Sequence, residues 1–309
     1  MTGKVIILGA KGRFGRAAMD AFQAAGWQVT AFARARFDAL SDGINFIQGD
    51  ASDAAVLSRA AMGHDVIVNA LNPPYGKWAK LVPVLTRNVI AAAKTSGATV
   101  MLPGNVYNYG ETMPPQLTED TPHAPSTHLG KLRVTLEEAY AIAADDGVRT
   151  VILRGGDFIE KAQTGNWFDS QITPNIAKGR ITYPGPRDQI HAWAYLPDMA
   201  RALVALAEKR SEFAMFEEFG FPGYNLSGDE LVQALSDAAE RQLKAGALPW
   251  SMLRMLSMFS ADIKGVVAMS YLWRTPHTID GAKLQATLPN WRATPLNIAI
   301  KDAVSQRLI

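Results

Sequence analysis

The sequence predicts a doubly wound α/β protein: a parallel sheet with crossover helices, joined to a smaller, mostly helical second domain. Three observations carry that prediction. Short apolar runs without polar alternation recur through the first half of the chain, as in strands buried on both faces. Stretches with apolar residues at helical spacing separate them, to about residue 155, and that alternation is the pattern of a parallel sheet. The first apolar run opens into a turn with glycines at 9, 12 and 15, followed at once by a helical pattern.

The elements follow in order. Lys4-Val5-Ile6-Ile7-Leu8 is the first strand. Phe14, Ala17, Ala18, Phe22 and Ala25 then repeat at helical spacing, with Gly26 as the stop. The second strand runs from Trp27 to Phe32, the third from Ile44 to Gln48, and the fourth from Asp65 to Leu71. A helix spans Trp78 to Lys94, tolerating Pro83, and a fifth strand spans Ala98 to Leu102. Pro103 to Thr127 reads as a loop, with prolines at 114, 115, 122 and 125. Loops of this length in a folded domain are usually functional or disordered. A helix from Leu129 to Ala144, closed by Gly147, precedes a sixth strand from Val148 to Leu153. Beyond Gly156 the period turns irregular, with aromatics and prolines between Trp167 and Trp193. Pro197 to Arg210 is helical, and Ser227 with Glu230 has the spacing of a capping box.

Composition narrows the function classes. The chain has 309 residues, 48% of them hydrophobic, enough for a large core in one or two domains. Net charge is +2 with acids and bases interspersed, so no nucleic-acid partner is expected. Cysteine is absent, which excludes disulfides, zinc thiolates and a thiol nucleophile. The stretch from Trp250 to Trp273 is apolar but broken by Arg254, Asp262 and Lys264. It predicts a pair of amphipathic helices over a pocket rather than a membrane span. With no signal-peptide cleavage pattern, the expected location is the cytoplasm. The expected partners are a small-molecule substrate and, as a candidate, a second copy of the chain.

The glycine turn suggests the ligand. Gly9 permits the tight turn, Gly12 lets a pyrophosphate approach the backbone, and Gly15 allows close helix–strand packing. The spacing GxxGxxG is a variant of the GxGxxG dinucleotide fingerprint. After the second strand comes Ala33-Arg34-Ala35-Arg36, with no acid. An acid there would hold the ribose 2′-hydroxyl of NAD, whereas arginine pairs with the 2′-phosphate of NADP. Arg34 and Arg13 are the candidate phosphate ligands. Ligands sit at the carboxyl ends of such strands, which adds Asp50 and Ala51 after the third and Ala70, Leu71 and Asn72 after the fourth. With Gly9, Lys11, Gly12, Phe14 and Gly15 they complete the expected cofactor site, for NADP first and NAD as the alternative. The five histidines show no metal spacing, so no metal is expected. There is no GxxxxGK[ST], HExxH or GxSxG motif. His191, Trp193 and Tyr195 alternate, as on one face of a strand.

In their order, these and later motifs resemble the extended short-chain dehydrogenase/reductases, the group of nucleotide-sugar epimerases and dehydratases. The resemblance rests on Gly9 to Gly15, Gly49-Asp50, Tyr109-Gly110 and Glu119-Asp120-Thr121-Pro122. It continues through Lys131 with Glu137 or Glu138, Leu153-Arg154-Gly155-Gly156, and the run from Trp193 through Asp198 to Ala202. Asp280-Gly281-Ala282-Lys283-Leu284 and Thr294-Pro295-Leu296 match the family's tail. The resemblance implies a Rossmann cofactor domain from 1–157 and 192–227, interleaved with a substrate domain from 158–191 and 228–309. It also implies a Ser or Thr, a Tyr and a Lys as catalytic groups, the last two as YxxxK. That spacing lets the ammonium lower the phenol's pKa from about 10 toward the working pH.

Here the pattern is broken. Lys131 is present, but Thr127 stands four residues before it, and none of the eight tyrosines has lysine at i+4. Four residues before Tyr109, the usual Ser position holds Asn105, which can donate to a substrate carbonyl. Isoflavone-reductase-like relatives also lack the tyrosine and keep a lysine. The proton then falls to Lys131, to Tyr107 or to His128. Lys131 would also bind the nicotinamide ribose. The expected function is an NADP(H)-binding oxidoreductase or epimerase-like enzyme acting on a carbonyl or hydroxyl of a small organic substrate. The alternative is a non-catalytic NADP(H) sensor resembling the NmrA-like regulators.

Overall fold

In the computed structural model, which describes residues 3–38 and 40–308, seven strands form the main sheet. They are β1 (Lys4–Leu8), β2 (Gln28–Ala33), β3 (Asn45–Gln48), β4 (Val66–Asn69), β5 (Thr99–Gly104), β6 (Thr150–Arg154) and β7 (Phe216–Gly220). Their order is β7-β6-β5-β4-β1-β2-β3, and the pairings from β6 across to β3 are all parallel. The helices are α1 (Arg13–Ala24), α2 (Ala54–Ala61), α3 (Trp78–Ser96), α4 (His128–Ala143) and α5 (Leu196–Glu208). β1 is central, with Ile6 registered between Thr30 of β2 and Ile67 of β4. Val5, Ile6, Ile7 and Leu8 are each 0% exposed, which is why this strand reads as an unbroken apolar run. The chain winds from β1 to β3 in one direction and then from β4 in the other. The crevice between β1 and β4 is therefore the topological switch point where such folds bind ligands.

Two elements of the main sheet and its helices lie outside the sequence reading. α2 is opened by Asp53, whose Oδ1 accepts from the N–H groups of Ala55 and Val56 at 3.0 Å each. β7 carries two adjacent glutamates, Glu217 and Glu218, and so lacks the apolar run that betrays the other strands. The fifth strand also begins one residue later than expected and runs on to Gly104.

The chain divides into two compact units. The first holds Met1–Gly104, Lys131–Arg154 and Ala200–Phe219; the second holds Asn105–Gly130, Gly155–Met199 and Gly220–Ile309. These borders differ from the expected ones, because 105–130, 155–157, 192–199 and 220–227 fall in the second unit. Strand pairing gives the reason. Ile190–Tyr195 pairs with Asp157–Ile159 and with Tyr224–Ser227 in one small sheet, and Gln116–Leu117 pairs with Thr278–Ile279 in another. The second unit, expected to be the smaller, is the longer of the two.

The core of the second unit gathers Phe168, Ile172, Trp193, Leu231, Trp273 and Ile300. The expected capping box is present: Ser227 Oγ accepts from Glu230 N at 3.2 Å, and Glu230 Oε2 accepts from Ser227 N at 2.7 Å. The apolar stretch after Trp250 forms two short helices, Trp250–Leu256 and Ala261–Ala268, with Phe259 exposed between them. Among the described residues no helix is long and apolar enough to cross a membrane.

One buried ion triad ties the first unit together. Arg154, 1% exposed at the end of β6, donates to Glu137 Oε2 of α4 at 2.7 Å and, through Nε, to Glu218 of β7. Removing the cation leaves two carboxylates without it, one of them fully buried, and breaking such a pair costs about 3–5 kcal/mol. Arg154→Met should lower unfolding free energy by that amount in urea titrations. An unchanged midpoint would show that the triad contributes nothing to stability.

Candidate functional site

The turn between β1 and α1 is a close backbone contact. Gly9 has φ +74, and a Cβ on it would lie 2.6 Å from the carbonyl oxygen of Ala70, just past β4. A Cβ on Gly15 would lie 2.3 Å from the carbonyl oxygen of Gly9. Gly12 is the N-cap of α1 and donates its N–H to Gly9 O at 2.8 Å. Having no side chain, it supplies no side-chain cap to α1, and no acid occupies the first turn. Such a helix start attracts an anion through its N–H groups and its dipole. Lys11 and Gly12 are exposed, Arg13 is half-buried, and Phe14 is packed inside at 4% exposure. These features fit a pyrophosphate.

The neighbouring strand ends complete one face of the first unit. Arg34 is exposed just after β2, and its carbonyl oxygen accepts from Gln48 Nε2 at 3.1 Å. Asp50 follows β3. Its Oδ1 accepts from Ser52 N at 2.9 Å and Ser52 Oγ at 2.8 Å, and these bonds hold its pKa below the usual carboxylate value, with Arg34 adding a smaller push. The carbonyl of Ala51 is taken by Asn88 Nδ2 at 2.9 Å. Beyond β4, Leu71 N donates to Asn69 Oδ1 at 3.3 Å, and Asn72 Oδ1 accepts from Arg133 Nη2 at 3.4 Å. Lys131 lies exposed on α4.

In the second unit, Asn105 caps the short turn Val106–Tyr109, its Oδ1 accepting from Tyr107 N at 3.0 Å. Tyr107 is half-buried and His128 is exposed at the start of α4. Thr127 is already engaged: its Oγ accepts from Gly130 N at 3.1 Å, and the hydroxyl points at Met269 Sδ, 3.6 Å away. It therefore acts as a helix cap. Met269 was not foreseen, because nothing in its local sequence separates it from the other apolar residues of that segment.

The family follows from these features taken with the whole chain. The model of the family described as NAD dependent epimerase/dehydratase matches residues 5–219. The chain belongs to that family. Among solved structures, the UDP-glucose 4-epimerase of Brucella ovis in complex with NAD superposes with TM-score 0.78 at 16% identity, covering 99% of both chains. The UDP-N-acetylglucosamine 4-epimerase of Bacillus cereus gives 0.77 at 13%, again over 99% of both. The UDP-glucose 4-epimerase of Thermotoga maritima with UDP-glucose gives 0.77 at 13%, over 98% of this chain and 97% of that one. At such identities the likeness is one of fold. No curated protein matches the chain.

This epimerase/dehydratase-family chain also buries a histidine pair that the alternation around Trp193 only hinted at. His191 Nε2 lies 2.8 Å from Asp157 Oδ2, and its ring stacks on Trp273 at 4.3 Å. His277, 1% exposed, meets the His191 ring edge-on at 4.8 Å. Its Nδ1 donates to the Thr275 carbonyl at 2.9 Å, and its Nε2 has no hydrogen-bond partner. Burial, then the neighbouring His191, push its pKa from 6.5 down to about 4, against the opposing pull of Thr275 and Asp157. The unfolded chain therefore binds this proton first as pH falls. The stabilisation is complete above the unfolded value and is lost as pH drops toward the folded one. That is about 2 kcal/mol between pH 7 and pH 5. Urea unfolding should show this slope in the wild type and a flatter one in His277→Phe. Identical slopes would mean that His277 does not titrate with folding.

Proposed function

We propose that the chain is an NADP(H)-dependent oxidoreductase or epimerase-like enzyme acting at a carbonyl or hydroxyl carbon of a small organic substrate. The single observation that carries this reading is the uncapped start of α1 at the β1/β4 switch point, with Gly9 and Gly15 holding the turn open to a phosphate. Arg34 in place of an acid favours the 2′-phosphate of NADP, with Arg13 as its helper. Lys11, Gly12, Phe14, Asp50, Ala51, Ala70, Leu71 and Asn72 would line the rest of the cofactor.

When bound, the nicotinamide exchanges a hydride with the substrate carbon. Lys131 would hold the nicotinamide ribose and keep a positive charge near the developing alkoxide. The oxygen of Asn105 is spent on its own turn, so it would serve a substrate through its amide N–H groups, an oxyanion-type role. The proton falls to Lys131, with Tyr107 second, because Thr127 spends its hydroxyl on the cap and on Met269. That same engagement of Thr127 favours the second reading, a non-catalytic NADP(H) sensor.

Calorimetry on the wild type should give tighter binding of NADPH than of NADH. Arg34→Ala should lose about 1.5–3 kcal/mol toward NADPH alone, a ten- to hundredfold change. Equal affinity of the wild type for both dinucleotides would refute the preference.

Turnover assays separate the catalytic roles. Lys131→Met should lower turnover by about 10²–10⁴-fold if the lysine assists proton transfer. Thr127→Val should cost about 1 kcal/mol of stability as a lost cap and leave turnover nearly intact. Full activity in Lys131→Met would remove the lysine from the mechanism. A wild type that binds NADPH tightly but is inert toward a broad carbonyl panel would establish the sensor reading instead.

A further inference from the structure

We infer that Tyr140 and Arg133 are positioning residues, which hold the loop beyond β4 in register with the helix that carries Lys131. The inference rests on the cofactor reading above and deepens it. Asn69, the last residue of β4 and 8% exposed, donates from Nδ2 to the Tyr140 hydroxyl at 2.9 Å, while its Oδ1 accepts from Leu71 N at 3.3 Å. Tyr140 is 0% exposed. Burial raises its pKa well above the ordinary phenol value, against the pull of the Asn69 bond and of Arg133. It stays protonated and is out of reach of solvent, so it is a fixture and no acid or base.

Arg133 provides the second tie. Its Nη2 donates to Asn72 Oδ1 at 3.4 Å, and its guanidinium lies 4.6 Å over the ring of Trp78 in α3. Trp78 in turn donates from Nε1 to the Pro73 carbonyl at 2.7 Å. The end of β4 at Asn69 and the loop beyond it at Asn72 and Pro73 are thus held by side chains of α4 and α3. Arg133 and Tyr140 are seven residues apart, two helical turns, and so share one face of α4.

Strand order says what this loop would serve. β2, with Arg34, lies on one side of β1, and β4 lies on the other. A dinucleotide with its adenosine phosphate at Arg34 and its pyrophosphate at the β1 turn must carry its nicotinamide half over β4. The loop from 70 to 72 and Lys131 would then both bear on that half, and both move with α4. A merely structural pair would stabilise the fold without favouring one end of the cofactor.

The test compares the dinucleotide that the wild type prefers with its adenosine half alone (2′,5′-ADP for NADP, AMP for NAD), by calorimetry well below the unfolding temperature. In Tyr140→Phe the dinucleotide should weaken by about three- to tenfold, the worth of one hydrogen bond, while the adenosine fragment binds as before. Arg133→Met should show the same selective loss. Equal weakening of both ligands would overturn the inference in favour of a general loosening of the fold. Unchanged affinity for both in the two variants would overturn it outright. A wild type that binds neither dinucleotide would refute the cofactor reading itself, and this inference with it.

Discussion

The first unit depends on a close approach of backbone to backbone at the turn from β1 into α1. With φ +74 at Gly9 and only 2.3 Å available for a Cβ on Gly15, the strand, the helix start and the end of β4 can meet only if both residues are glycine. The contact fixes where α1 begins, and its N-terminus, which no side chain caps, therefore opens at the switch point. The later strands then bring their carboxyl ends to the same edge, because parallel pairing keeps them in register with β1. An anion site arises here from packing geometry before any charged side chain is considered.

α4 is the element on which the remaining polar structure converges. Thr127 caps it, Glu137 joins it to Arg154 and Glu218, and Arg133 and Tyr140 join it to the loop beyond β4. Each tie is a buried or half-buried polar group with a defined partner, and such groups are costly to leave unpaired. The helix that bears Lys131 is therefore held at several points along its length. The hydroxyl at the position four before Lys131 has become part of this anchoring.

The second unit is organised around Trp273. His191 stacks on it, and the rings of Trp167, Tyr183 and Trp193 lie within 6 Å of it. The aromatic residues that alternate along Ile190–Tyr195, Trp193 and Tyr195, belong to the core of this unit. His277 is sealed in beside them with an unpaired nitrogen, which makes the unit sensitive to acid.

Much of the first unit was legible in the chain itself. Buried parallel strands are continuous apolar runs, and glycine spacing marks the phosphate turn, so β1 to β6 and the family pattern could be read locally. The capping box at Ser227 and the absence of tyrosine before Lys131 are likewise properties of neighbouring residues. What depends on distant residues could not be read. β7 carries paired glutamates, and the partner that accommodates Glu218 there is Arg154, 64 residues earlier in the chain. The loop from 105 to 130 joins the second unit because Gln116 and Leu117 pair with a strand more than 160 residues away. Thr127 reads as a weakened catalytic hydroxyl until tertiary packing brings Met269 against it, and nothing local to Tyr140 foretells that Asn69 donates to its hydroxyl. Sequence determines what a residue can offer within a turn or two of helix. Only the folded chain decides which distant group takes that offer.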